Sequence, residues 1–574
     1  MKKVCVIGGG ASGLTAIKQL MDEGHEVTCY EKSSAVGGVF NYGSPNGRSI
    51  KSTVLTISNY LMAFSDYPPK GHRYFWTHEE YKQYLANYVK EFGLQERIVF
   101  DTEVLNLRKL DNQYQVVTRH NPTQTQKTEE YEAVVVCSGI HESRKIPPVT
   151  GIETFTGDIV HTQDFTDPNN AFSDASAFAN KRVLCVGIGE SAVDIVREVS
   201  KVTADCHLLM RSYPFLVPRV LHNTTADCTT TRAFHATYHP SENILYYRLG
   251  DWMLRAASFF GKLFVKEKQP ALDAFNQPLE KKSLDFDTEY NEESLKLIKV
   301  WNQLSGGRRF STKNVSFVPQ VLNGSINVAV TSLESINGNT VKFSDGRSVE
   351  VDSIIFNTGF QHDLSFIEGF ELKDNSVRNM FMHTFHEDWP NCAFIGWARP
   401  TSGGIPACAE MTARYFALLL SGKRSLPTDV PQRIEADKAF YKEALSDSPD
   451  IHSLILWKRY MDSYADLIGV RVRLWKYLLN PSLFLRLLYG TMLPVQYRLE
   501  GPHASPEVAK QTIMNLPLTS QLPFSLNDAR NAIKAAILKR SDKYNESVFE
   551  VDFFPECQIT EKDIEKYRFA ANTK

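Results

Sequence analysis

This sequence predicts an α/β protein carrying two parallel sheets, on three observations. A short apolar run, Lys3 to Ile7, passes directly into Gly8-Gly9-Gly10-Ala11-Ser12-Gly13 and then a helical pattern. The same order recurs where the apolar run from Lys181 enters Gly187-Ile188-Gly189-Glu190-Ser191-Ala192 and a second helical pattern. A further apolar run, Val351 to Gly359, follows that second passage, which places the second unit inside the sequence of the first. Short apolar runs bounded by turn residues and alternating with helices are how buried parallel strands read.

The chain has 574 residues, 43% hydrophobic and 23% charged, enough for two or three domains with sizeable cores. Sixty-four basic against 66 acidic residues leave a formal net charge of −2. No long block of one sign occurs, so there is no electrostatic ground for a nucleic-acid partner, and a small-molecule substrate fits better. The nine cysteines are scattered without C-x-x-C or metal-ligand spacing and read as reduced, buried thiols of a cytoplasmic protein, with no metal site. Met1-Lys2-Lys3 precedes an apolar stretch, but Gly8-Gly9-Gly10 interrupts it and no cleavage site follows, so it reads as a strand rather than a signal peptide. No run of 18 or more apolar residues is free of charge, and no transmembrane anchor is expected.

Taken in order, the first unit has G-x-G-x-x-G in its required strand–turn–helix context. Gly8 permits the tight turn, Gly10 admits a pyrophosphate against the backbone, and Gly13 lets the helix pack closely on the strand, its N-terminal N–H groups facing phosphate. The next strand, Val27 to Tyr30, ends in Glu31, a carboxylate placed to accept hydrogen bonds from ribose hydroxyls. Gly37-Gly38-Val39-Phe40 supplies a further turn along an extended flavin nucleotide, so this unit is expected to hold FAD. In the second unit Ala192 stands for the third glycine, and the following strand, Cys206 to Met210, ends in Arg211 rather than an acid. A guanidinium pairs with a 2′-phosphate where an acid would repel it, which favours NADPH. The architecture expected is therefore two Rossmann-like dinucleotide-binding domains, the NADPH domain inserted into the FAD domain, with a helical insertion and a helical C-terminal region. The boundaries read as 1–167 (FAD domain, first part), 168–180 (linker), 181–330 (NADPH domain, with insertion 221–314), 331–430 (FAD domain, second part, with a hairpin at Asn337-Gly338 and a strand at Asp352 to Phe356), and 431–574 (helices and a polar tail).

At these residues the chain resembles the flavin-containing monooxygenase family, from Val4 to about Pro502. The family's linker signature F-x-G-x-x-x-H-x-x-x-[FY]-[KR] is matched by Phe155, Gly157, His161 and Phe165, departing only at Thr166. Lys51-Ser52 through Phe64-Ser65-Asp66, Asn357-Thr358-Gly359-Phe360 and Tyr497-Arg498-Leu499-Glu500-Gly501-Pro502 resemble three more of its segments. The resemblance implies that NADPH reduces FAD, that O₂ adds at flavin C4a, and that the C4a-hydroperoxyflavin gives one oxygen atom to a soft nucleophile, N or S, of a small organic substrate. Two alternatives stay open: Baeyer-Villiger oxidation of ketones or aldehydes, against which Phe165 stands where those enzymes carry Trp, and an uncoupled NADPH oxidase releasing H₂O₂. The second is raised by Thr56, which occupies the place of the family's catalytic asparagine and offers one hydroxyl in place of an amide.

The cofactor-contacting positions expected are Gly8, Gly10, Gly13, Glu31, Gly38, Val39, Phe40, Thr56 and Ile57 about the flavin, and Gly187, Gly189, Ser191, Ala192, Val193, Asp194 and Arg211 about NADPH. Thr56 is also the expected catalytic residue. Asn59 is expected not to replace the missing amide, because the β-branched run before it disfavours a helical backbone. Gly403-Gly404-Ile405-Pro406 opens a helix whose end could face the reduced flavin, the glycines giving a ring close approach. Glu410 and Arg414 are expected to pair across one helical turn, and His161 to be a hydrogen-bonded structural residue. The aromatic and basic insertion (Arg248, Arg255, Lys262, Lys266) and Trp475 to Leu488 suit a peripheral membrane face or an access channel, or equally cover for the protein's own core or a homodimer contact.

Overall fold

The computed structural model describes residues 1–44, 47–221, 224–238, 243–259, 291–306, 311–446, 451–516, 518, 530–534, 537 and 557–569. Lys262 and Lys266 of the insertion lie outside them.

Two five-stranded parallel sheets organise the chain. The first has the order Cys392–Phe394, Ala133–Val136, Lys3–Ile7, Glu26–Tyr30, Ile98–Val99. Its central strands are buried on both faces, as a parallel sheet covered by helices requires. The helix Ala11–Asp22 follows the first glycine turn and packs on Ile405–Leu420. The second sheet has the order Asn327–Val330, Asp205–Met210, Arg182–Val186, Ser353–Phe356, Asp158–His161.

The strand Ser353–Phe356 therefore corrects the expected boundary. It was assigned to the returning first unit, yet it slots between Arg182–Val186 and Asp158–His161 in the second sheet. Four buried residues, three of them apolar, are acceptable to either sheet, and the choice rests on long-range pairing that periodicity does not encode. The chain regains the first sheet only at Cys392–Phe394. The hairpin at Asn337-Gly338 is present, joining Leu333–Asn337 to Thr340–Phe343.

The polar tail is also corrected. Thr560 caps the helix Glu561–Tyr567 with a reciprocal capping box, and the helix packs on Glu292–Leu304. Tyr567 is 2% exposed and its carbonyl accepts from Trp301 Nε1 at 3.1 Å. Ile564, Tyr567 and Phe569 supply an apolar edge that the charged residues around them mask in the sequence.

Among the described residues no helix is long and apolar enough to cross a membrane.

Candidate active site

The first glycine turn leaves no room for side chains. A Cβ on Gly13 would stand 1.8 Å from the Gly8 carbonyl oxygen, and one on Gly8, whose φ is +103°, would meet the Cys137 oxygen at 2.6 Å. Gly10 caps Ala11–Asp22, and its Cβ would lie 3.6 Å from the Gly38 Cα, so the two glycine turns face one another across a slot. Gly38–Phe40 forms a single 3₁₀ turn, with the Phe40 ring edge-on to Tyr81 at 4.7 Å. Glu31 is buried at the strand end. One carboxylate oxygen accepts from Gly9 N at 2.6 Å and the other from Ser33 N at 2.8 Å, which fixes the carboxylate beside the turn. The tight glycine packing and the anchored acid fit an extended dinucleotide.

The second turn repeats the geometry more openly. Gly187 has φ +105° and a Cβ there would meet the Asn357 oxygen at 2.6 Å, while Gly189, capping Glu190–Val199, has nothing within 4 Å of its Cβ position. Backbone N–H groups at that helix start face unobstructed space, as a pyrophosphate needs. Ser191 is exposed and Arg211 is exposed at its strand end. Ala192 and Val193 point into the core, so they can serve a ligand only through their backbone. Asp194 is committed within the protein: it accepts from Asn314 Nδ2 at 2.7 Å and lies 3.8 Å from Arg219.

The loop carrying Thr56 and Ile57 runs between the units. Leu55 N donates to the Trp76 oxygen at 2.8 Å and Ser58 N to Asp227 Oδ2 at 2.6 Å, and Arg219 Nη2 donates to the Val54 oxygen at 3.2 Å. Asp227 and Arg219 both follow the second sheet's strand Asp205–Met210 in the chain, so they tie this loop to the second unit. Thr56 is half-buried at a bend, with no hydrogen bond to its hydroxyl among the described residues, and Ile57 forms an apolar wall beside it. The backbone does turn helical at Asn59–Met62, contrary to expectation, because Ser58 N is held by Asp227 and frees the next residues to wind. Asn59 still cannot replace the missing amide. Its Nδ2 donates to the His72 oxygen at 3.0 Å, and its Oδ1 accepts from Tyr60 N and Tyr74 N.

One feature of the cleft has no sequence motif. Thr312 Oγ1 donates to the Ile188 oxygen at 3.3 Å, and Lys313 N donates to Glu190 Oε1 at 2.8 Å, which brings Lys313 against the second turn. The Lys313 ammonium has a lowered pKa because burial outweighs the attraction of Glu190 and Asp227. Burial raises the Glu190 carboxyl, and Arg399 from the far side of the cleft also acts on both groups. His141 is pushed down to about 3 by burial, with Arg399 and Arg48 adding to the effect. Residues far apart in sequence meet here, and only the fold reveals it.

Near the helix Ile405–Leu420 the preceding glycines are required by the protein's own packing: a Cβ on Gly403 would stand 2.5 Å from the Trp457 indole, and one on Gly404 2.5 Å from the Leu61 oxygen. One expectation there is corrected. Glu410 and Arg414 do not pair. Glu410 accepts from Arg498 Nη2 at 2.7 Å, Ser65 N at 2.6 Å and Ser65 Oγ at 2.5 Å, whereas Arg414 donates to the carbonyls of Tyr497 and Pro502. The Tyr497–Pro502 segment is nearer to both side chains than they are to each other.

His161 is the expected structural residue. Its Nε2 meets the Gly359 oxygen at 2.9 Å and its Nδ1 accepts from Gln163 N at 3.1 Å, and Phe165 stacks on Phe178 at 5.8 Å.

Two glycine-rich strand–turn–helix cradles on separate parallel sheets, joined by two chain crossings, define a flavoprotein oxidoreductase served by a nicotinamide dinucleotide. The comparisons give the class its name. The model of the flavin-binding monooxygenase-like family matches residues 1–258 and 283–550, and the chain belongs to that family. It is 33% identical over 528 residues to a 4-hydroxybenzoate brominase (decarboxylating) of Marinomonas mediterranea, covering 91% of this chain and 94% of the relative. It is 29% identical over 522 residues to flavin-containing monooxygenase 5 of Cavia porcellus, covering 87% and 89%. Among solved structures, cyclohexanone monooxygenase from Rhodococcus sp. Phi1 bound to NADP⁺ shares the fold, with TM-score 0.53 and 15% identity over 82% of this chain and 97% of that one. The protein is a flavin-dependent monooxygenase that works with FAD, NADPH and O₂.

Proposed function

We propose that FAD lies in the first cradle and NADPH in the second, and that the enzyme passes one oxygen atom of O₂ to a soft nucleophile held in the cleft between them. The observation that carries this reading is the pair of glycine-turn cradles, one on each parallel sheet, with the loop after Val54 tied across to Asp227 through Ser58 N. The bound flavin supplies the hydride acceptance and oxygen activation. The chain's residues orient and shield it. Gly8, Gly10, Gly13 and Gly38 admit the dinucleotide, Glu31 receives ribose hydroxyls, the N–H groups after Gly189 receive the second pyrophosphate, and Arg211 pairs with its 2′-phosphate. Ile57 excludes water from the reacting face, and Thr56 donates its one hydroxyl there.

Two acceptors fit a soft nucleophile. Phe165 in the linker signature favours an amine nitrogen or thioether sulfur. The brominase relative favours bromide, itself soft and anionic. The experiment is product analysis with purified holoenzyme, O₂ and either NADPH or NADH, supplied with a tertiary amine, a thioether, a cyclic ketone, or bromide with 4-hydroxybenzoate. N-oxide or sulfoxide supports the first acceptor and a brominated phenol the second. Ester formation, or NADPH consumption yielding only hydrogen peroxide, would overturn both.

We further propose that the face bearing Leu245, Trp252, Trp475 and Leu479 rests on a membrane surface. The two segments singled out in the sequence do meet: Tyr489 Oη donates to the Tyr247 oxygen at 3.1 Å, and Tyr246 packs on Phe484 at 6.4 Å. Trp252 is 65% and Trp475 55% exposed, with Arg248, Arg255 and Lys476 among them.

A further inference from the structure

We infer that Arg48 is a positioning residue that holds the two nucleotide-binding sheets at the orientation in which the nicotinamide meets the flavin; this rests on the cradle assignment proposed above. The chain passes between the sheets twice, outward between Val136 and Asp158 and back between Phe356 and Cys392. The two passages are laced together. Ser143–Arg144 runs antiparallel to Phe360–Gln361, Lys145 N donates to the Gly359 oxygen at 3.1 Å, and Asp363 N donates to Glu142 Oε2 at 3.1 Å.

Arg48 belongs to neither passage. It lies in the loop after the Gly38–Phe40 turn and is fixed to that turn, since Arg48 N and Ser49 N both donate to the Val39 oxygen, at 2.8 and 3.1 Å. Its guanidinium reaches across to the outward passage, with Nε donating to the His141 oxygen and Nη2 to the Glu142 oxygen, each at 2.8 Å. The same group sits 5.5 Å from the centre of the Phe360 ring on the return passage. That ring is flanked edge-on by His141 and by His161, which is itself bonded to the Gly359 oxygen. One side chain thus grips both passages while its backbone is part of the first cradle. Gly43 N, donating to the Thr166 oxygen at 3.2 Å, makes a second tether from the same loop.

An arginine suits this task because its rigid planar fork can address two successive carbonyls and stack on a ring at once, which an ammonium on a flexible stem cannot. Hydride transfer demands that donor and acceptor carbons approach within about 3.5 Å, and a misplacement of about 1 Å can cost about a hundredfold in rate. A clamp between flavin loop and crossing is therefore kinetic in its effect even without touching either cofactor.

The test uses FAD-loaded parent enzyme, Arg48→Lys and Arg48→Ala, reduced without oxygen by saturating NADPH or by 1-benzyl-1,4-dihydronicotinamide, a hydride donor that has no nucleotide to engage the second cradle. Both variants are expected to keep their FAD. Their bleaching by NADPH should slow by about tenfold to a hundredfold, with the KM for NADPH little changed, while bleaching by the benzyl donor keeps the parent rate. Unchanged NADPH bleaching in Arg48→Ala would overturn the inference. Equal slowing with both donors would do the same, because it places the guanidinium at the flavin itself. Loss of FAD from both variants would make Arg48 a scaffold residue and also overturn it. A parent enzyme that NADPH cannot bleach would sink the cradle assignment, and the inference with it.

Discussion

Thr56 and Glu142 show how single side chains set the behaviour of the cleft. Thr56 presents one hydroxyl at a bend where an asparagine would present an amide with two donors, so under the proposed function it would offer a bound, oxygen-activated flavin fewer hydrogen bonds. Thr56→Asn is expected to lower the fraction of oxidised NADPH that ends as hydrogen peroxide, read by peroxide assay against NADPH loss. An unchanged or higher fraction would reject a role for this position. Glu142 sits where the passages cross, and burial pushes its carboxyl up to about 7 although Asp363 N donates to it. A folded-state pKa above the unfolded value means the group favours folding at low pH, and this contribution is lost as pH rises through the folded pKa. Thermal stability should therefore decline between about pH 5 and about pH 8 through this residue. Glu142→Gln is expected to flatten that decline in a melting series across the range. A parallel decline in parent and variant would assign it to other groups.

The buried network around Arg498 shows what its segment is for. Its guanidinium donates to Ser65 Oγ, Asp66 Oδ2 and Glu410 Oε1, and Lys18 reaches the same Asp66 carboxylate at 2.9 Å. The helices Ala11–Asp22 and Ile405–Leu420 and the segment after Phe64 are thereby joined through two cations, Lys18 and Arg498, that share Asp66. Arg414 beside it is pushed down to about 9 by burial and the nearby Arg498 charge. Breaking a buried pair leaves charge uncompensated, typically at a cost of about 3–5 kcal/mol. Arg498→Met is accordingly expected to lose about that much in denaturant unfolding, and a loss below about 1 kcal/mol would show the network to be dispensable. The glycine turns could be read from the chain because strand end, turn and helix start follow one another within a few residues, even though the atoms that crowd Gly8 and Gly187 come from Cys137 and Asn357 far along the chain. The partners of Glu410 and Arg414 could not, since helical spacing suggests a pair that two distant residues and two carbonyls outbid. Gly403 and Gly404 show a similar limit: the sequence shows that space is needed but not that Trp457 and Leu61 pack against these positions. Lys313 carries no motif, and its place depends on Glu190, more than a hundred residues away in the chain.

At the scale of the whole molecule, several large apolar residues are exposed among the described residues of two segments that pack on each other. Leu479 is fully exposed beside Trp475 and Lys476, and the helix Ile244–Phe259 sets Leu245, Arg248, Trp252 and Arg255 along its outer side. Apolar and aromatic groups among basic ones suit the headgroup boundary of an anionic bilayer. The enzyme is expected to float with phosphatidylserine-containing vesicles, and the double variant Trp252→Asp, Trp475→Asp to remain at the bottom of the gradient. Equal recovery of both, or a parent that stays at the bottom while the variant shifts in hydrodynamic size, would point to a contact between copies.

All nine cysteines are buried and none forms a disulfide, and they are spread over both sheets and the segments around them. Burial raises the thiols of Cys5, Cys137, Cys392 and Cys408, so these are protonated as well as shielded. An alkylating reagent should meet an almost inert surface until some part of the interior breathes. Brief pulses of such a reagent, followed by peptide mass mapping, would then time-stamp each region's opening: Cys185 and Cys206 keep the clock for one half of the enzyme, and Cys5, Cys29 and Cys392 for the other.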